Sequence, residues 1–183
     1  GTLTITDGDP GGRDNSLTVS ITSGNLVITD AVQKFSSIPP EGTLSADERT
    51  LTIPFAAVTG GLIFNTAGGK DSLTLDLSGG NVIPAGSITF NGGNPAAAPG
   101  DKLTIIGGTQ GNVAYTYSNA HDGKIVMSSF GTVNYTGLEP VINTGAATNI
   151  TITLPSAGSN AVLEDDGVAG NGLSQIRSLN GSF

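Results

Sequence analysis

The chain has 183 residues, with 28 Gly, no Cys or Trp, 5% aromatic and 12% charged residues, and a formal net charge of -8. The lack of Cys excludes a disulfide framework and a thiolate metal site, and seven Lys plus Arg scattered from Arg13 to Arg177 form no basic patch for nucleic acid. No apolar run approaches the ~18 residues of a membrane helix, so no membrane span is expected; the start Gly1-Thr2-Leu3 reads as that of a mature or excised segment.

From the first residues the rhythm is a short apolar alternation closed by Gly, Asn, Asp or Pro: Leu3-Thr4-Ile5-Thr6, then Asp7-Gly8-Asp9-Pro10-Gly11-Gly12. Period two followed by turn residues predicts strand and then turn. The same reading places strands at Leu17 to Ile21, Leu26 to Ile28, Leu51 to Ile53, Leu62 to Phe64, Leu73 to Leu77, Ile88 to Phe90 and Leu103 to Ile106. Further strands are expected at Val113 to Tyr117, Lys124 to Met127, Thr132 to Tyr135, Ile150 to Leu154 and Ala161 to Leu163, and Ser178 to Phe183 reads as the start of another. No segment repeats apolar residues at helical spacing; Leu44 to Arg49 supports one turn at most.

Beneath the rhythm lies a repeat. "GGRDNSLTVSITSGNLVI" (Gly11 to Ile28) aligns with "GGKDSLTLDLSGGNVI" (Gly68 to Ile83), and "PGDKLTII" (Pro99 to Ile106) is a shorter echo. Each copy follows a strand that itself follows Gly1, Gly61 or Gly86. Gly61 to Gly86 and Asp71 to Asp101 are roughly 25 to 30 residues apart, inside the 20–50 window of solenoids. The chain is therefore read as one repetitive β unit over 1–183, with repeats at 1–60, 61–85 and 86–110 and degenerate coils over 111–183. Phe35 to Arg49 and Asn94 to Ala98 are then loops budding from turns. The fold expected is an all-β, right-handed parallel β-solenoid (β-helix) segment; the alternative is a β-sandwich of similar short strands.

"GGKDSLTLDLSGG" (Gly68 to Gly80), with "YTGLEP" (Tyr135 to Pro140), resembles the repeats of giant secreted bacterial surface proteins of haemolysin-type or filamentous-adhesin-like character. That resemblance implies a β-solenoid at the bacterial cell surface with a structural or adhesive role. The nonapeptide calcium β-roll is a partial match: Gly68-Gly69-Lys70-Asp71-Ser72-Leu73 keeps the Gly pair and the Asp-x-Leu step, but no tandem copy follows. On that ground Asp14, Asp71 and Asp101 are each expected to cap a turn through their own backbone.

Two acidic loops are candidate Ca²⁺ ligands: Asp7, Asp9 and Asp14 in one, Glu164, Asp165 and Asp166 in the other; neither follows the EF-hand pattern. His121, the single histidine, sits in a turn sequence, and with no nucleophile elbow and no second His or Cys the chain is expected not to be an enzyme. Asp71 and Asp76, five apart on one strand, fall on opposite faces and make no carboxylate dyad. Thr doublets are too irregular for an ice-binding face. Tyr115 and Tyr117 share one face and are the candidate ligand-binding residues of a glycan- or receptor-binding adhesin module. The leading expectation is a structural component of a bacterial extracellular surface, a stalk, filament or layer. Its partners would be further copies or neighbouring repeats of a longer chain, because neither end offers a polar cap that blocks edge pairing.

Overall fold

The computed structural model describes all residues except 10–11, 96–99 and 157. Its strands are β1 (Leu3–Thr6), β2 (Ser16–Thr22), β3 (Asn25–Asp30), β4 (Thr43–Leu44), β5 (Thr50–Pro54), β6 (Leu62–Asn65), β7 (Gly68–Gly69), β8 (Ser72–Asp76) and β9 (Ile88–Asn91). They continue with β10 (Asn94–Pro95), β11 (Asp101–Ile106), β12 (Thr109–Tyr117), β13 (Gly123–Met127), β14 (Gly131–Thr136), β15 (Leu138–Asn143), β16 (Ala146–Thr153), β17 (Ala161–Asp165) and β18 (Ser174–Ser178). A three-residue 3-10 turn at Phe55–Ala57 is the only helical element among the described residues. The chain is all-β, as the alternation predicts.

Two seven-stranded sheets, neither closed into a barrel, carry the structure: β1-β6-β9-β14-β13-β12-β16 and β15-β11-β8-β2-β3-β5-β4. In the first, β1, β6, β9 and β14 run parallel, aligning Leu3, Leu62, Ile88 and Val133 in one row and Ile5, Phe64, Phe90 and Tyr135 in the next. In the second, β2, β8, β11 and β15 run parallel, aligning Leu17, Leu73, Leu103 and Val141 and then Val19, Leu75, Ile105 and Asn143. The short pair β7 and β10 is also parallel. The aligned repeat is a spatial one, since "NSLTV" lies beside "DSLTL" with Ser16 on Ser72 and Leu17 on Leu73.

Alternate side chains point inward because the strand period is two, and the inward set from both sheets forms one core. Leu62, Phe64, Leu73, Leu75, Ile88, Phe90, Leu103 and Ile105 are fully buried there. Each such side chain contributes roughly 1.5–3 kcal/mol relative to exposure, which is how thin layers without Trp sustain the fold.

The sheets are mixed, not wholly parallel. Ser23 and Gly24 both take positive φ, 50° and 77°, and turn β3 back against β2; β5 and β4 follow antiparallel. A second excursion sends β12 and β13 out as an antiparallel hairpin before β14 rejoins the parallel column. Here "TSGNLVI" and "LSGGNVI" part company: the first makes a hairpin, whereas Val82 and Ile83 of the second turn into the core. Leu179 to Phe183 forms no strand, so the reading of a further strand there is corrected, and β15, β18 and the two-residue strands β4, β7 and β10 were not anticipated. Leu44 to Arg49 makes the single turn expected, closed by Glu48 N–H to the Ser45 carbonyl at 2.9 Å. Of the expected loop Asn94 to Ala98, Asn94 and Pro95 instead form β10, paired with β7, and residues 96–98 lie outside the described ones.

Candidate functional site

The sequence copies "GGRDN", "GGKDS" and "PGDK" bring Asp14, Asp71 and Asp101 to one corner between the two parallel columns. Gly makes the close approach of backbones possible: Gly12 has φ +65° and its missing Cβ would overlap the Gly68 backbone, and Gly93, at φ +88°, faces the Ala67 carbonyl in the same way. The Asp side chains then bond between separate segments of the chain, which corrects the expectation that each caps its own turn. Asp14 Oδ1 accepts Lys70 N–H at 2.8 Å, Asp71 Oδ1 accepts Asn15 N–H at 2.7 Å, and Asp101 Oδ1 accepts Asp71 N–H at 2.7 Å.

Asp71 is 2% exposed and Asp101 0%, and the second oxygen, Oδ2, of each is buried with no hydrogen-bond partner. Burial pushes the Asp71 carboxyl up to about 6, against the opposing pull of the Asn15 amide. Asp101 is raised by burial too, with the Asp14 charge adding to it. A buried carboxylate with an unpaired oxygen favours its neutral form. Asp76 is half-buried on the other face of β8 and bonds Ser78 N–H at 2.9 Å, so the two acids of that strand stand apart as the period-two rule requires.

Neither predicted Ca²⁺ trio is drawn together. Asp7 accepts Asp9 N–H at 2.8 Å and Asn15 Nδ2 at 3.2 Å, Asp9 pairs with Arg13 at 3.0 Å, and Asp14 reaches across to Lys70. In the other loop Glu164 pairs with Arg177, Asp165 accepts Gly167 N–H, and Asp166 accepts Val168 N–H and Asn171 Nδ2. Arg177 holds the Glu164 carboxyl below its ordinary range. Among the described residues no three His, Cys, Asp or Glu side chains converge as a metal site.

Tyr115 and Tyr117 do share one face of β12. It is the core-facing side of the first sheet, since Val113 on the same face is buried. Asn143 Nδ2 donates to Tyr115 Oη at 2.8 Å, and the Tyr117 ring lies 5.2 Å from that of Phe183. Burial raises the pKa of both phenols, and of Tyr135 as well. His121 lies in the turn joining β12 and β13, with its N–H on Asn119 Oδ1 at 2.8 Å.

Polar ladders were missed by the sequence reading. Asn91 Nδ2 donates to Asn65 Oδ1 at 2.7 Å and Thr136 Oγ1 to Asn91 Oδ1 at 3.1 Å, so one polar file crosses β6, β9 and β14. Gln110 and Asn143 exchange amide hydrogen bonds at 2.9 and 2.7 Å. The signal was available for the first: Asn65 and Asn91 each stand three residues after the aligned Leu62 and Ile88. A shallow groove of about 520 Å³ lies between Phe55, Val58, Asn81, Ile83, Pro84 and Phe130, which three separate segments supply. No family model, no curated protein and no solved structure matches this chain.

Proposed function

We propose that the chain is a right-handed parallel β-solenoid segment that serves as a structural element of a bacterial extracellular surface, a stalk, filament or layer, and carries out no catalysis. The observation that supports this reading is the pair of in-register parallel columns, β1-β6-β9-β14 and β2-β8-β11-β15, the second tied at the start of β2, β8 and β11 by the Asp14, Asp71 and Asp101 bonds from one segment to the next. In such a stack each coil contacts only its neighbours, and rows of backbone bonds and side-chain ladders resist shear along the axis. The resemblance of "GGKDSLTLDLSGG" to repeats of secreted surface proteins favours the same role.

Pulling a single molecule by its ends tests the reading. A solenoid releases coil by coil, so unequal length increments of about 59, 26 and 45 residues, the spacings of Leu3, Leu62, Ile88 and Val133, are expected at ~3.5 Å per residue, or roughly 210, 90 and 160 Å. One release of the whole folded length would favour the β-sandwich. A second reading, a glycan- or receptor-binding module, draws on the groove between Phe55 and Phe130 instead of Tyr115 and Tyr117, which face the core. A glycan array probed with the protein and with Phe130→Ala tests it: binding lost in the variant would support the module.

A further inference from the structure

The first sheet ends in β1 on one side and β16 on the other. β1 is parallel to β6, β9 and β14; β13 reverses direction, β12 restores it, and β16 is parallel to β12. The two edges therefore run the same way at opposite ends of one sheet. Their sequences match in alternation: Leu3-Thr4-Ile5-Thr6 against Ile150-Thr151-Ile152-Thr153. They match in facing too. Leu3 and Ile5 align with Leu62 and Phe64 on the core side, and Ile150 and Ile152 align with Val113 and Tyr115 on the core side. Thr4, Thr6, Thr151 and Thr153 are all exposed.

Ile150, on the core side of the edge strand β16, is 61% exposed. Neither edge carries a charge or a Pro, the devices that normally blunt edge pairing. The second sheet is closed to such pairing: its edge β4 is two residues long and runs opposite to β15, and β15 contains Pro140. Of the two seven-stranded sheets, the first is thus the one whose edges are complementary to each other.

We propose that β16 of one molecule pairs in parallel with β1 of a second copy, setting Ile150 and Ile152 beside Leu3 and Ile5, so that copies add head to tail into an open filament. This rests on the structural reading above. The contact is heterologous and does not close, and each copy adds seven strands to the sheet, a rise of ~34 Å at the usual strand spacing.

Sedimentation velocity over a concentration series tests it with two variants. Thr4→Pro blocks the head, because Leu3 and Asp7 donate to Gly61 and Asn65 on the β6 side and so the Thr4 N–H faces outward. Ile150→Lys puts a charge on the tail at a position already exposed. Wild type is expected to form a ladder of species that lengthens with concentration, and each variant alone to stay monomeric. An equal mixture is expected to give a dimer and nothing larger, since only one intact head and one intact tail remain. Thr4→Lys replaces the proline variant if the latter melts early.

A wild type that stays monomeric overturns the proposal, as does an Ile150→Lys variant that still assembles or a dimer that forms from Thr4→Pro alone. The stepwise release of single molecules under force does not depend on assembly, so a monomeric chain that still unfolds coil by coil sinks the filament and leaves the structural reading standing.

Discussion

The stretch from β1 to β15 and the stretch from 144 to 183 are built from the same alternation of Thr, Asn, Val, Ile and Leu, yet they differ in what the alternation achieves. Every buried apolar residue among the described ones lies between Leu3 and Leu138; none of the described residues from 144 onward is buried. β17 and β18 pair as a hairpin, Leu163 against Ile176, with Leu163 71% exposed and Glu164 held to Arg177 and Gln175. A lone two-stranded hairpin is marginal in water. The lesson is that strand pattern yields a core only where other strands pack against its apolar face; pairing at one edge, as β16 has with β12, leaves Ile150 exposed.

The sharpest test of that contrast is a pair of truncations. Phe90→Ala removes a fully buried ring from the middle of a core row and is expected to lower stability by about 3–5 kcal/mol in urea titration. Leu163→Ala in the hairpin is expected to change the midpoint by less than about 0.5 kcal/mol. Comparable losses at both sites would show that the hairpin shares the core.

Next in size is the acidic corner. Asp71 titrates near 6 when folded and near 3.8 when unfolded, so between these values the folded state binds the proton and the unfolded state does not. Its contribution is fully present below the unfolded value and is lost as pH rises through about 6, by on the order of 2–3 kcal/mol between pH 4 and 7. The protein is therefore expected to melt higher at pH 4.5 than at pH 7.5, and Asp71→Asn to flatten that dependence. A profile unchanged in the variant would remove Asp71 as its source.

Smaller again is the polar file. Asn91→Ala strips the bonds to Asn65 and Thr136 and is expected to cost about 1–2 kcal/mol, measured by the same titration. Exposed Asn119, whose bonds close a local turn, is expected to tolerate Ala with less loss. The smallest effect is a gain: Ala67 is exposed at φ +67°, where a Cβ is strained, so Ala67→Gly is expected to raise the melting point by a few degrees at most, equivalent to less than about 1 kcal/mol.

Much of this was legible in the chain. Period two located β1, β2, β6, β8, β9 and β11 and their inward residues, and the "GGRDN" and "GGKDS" copies identified strands that lie side by side. Less visible was the direction of pairing after the turns, because Ser23-Gly24 and Gly79-Gly80 are alike in composition and differ in the backbone they adopt. The acidic residues show the same limit. Sequence proximity grouped Asp7, Asp9 and Asp14, but the fold sends Asp14 to Lys70, 56 residues on, and leaves Asp71 and Asp101 as the buried pair.

The sequence by itself determined an all-β chain with a Val-, Leu- and Ile-lined interior and Gly-rich corners, because side-chain periodicity and φ preferences are local properties. Only the tertiary structure decided which strands pair, in which direction, and which carboxylates lose their water. Those outcomes depend on residues dozens of positions apart arriving within hydrogen-bond distance, and no local pattern encodes that distance.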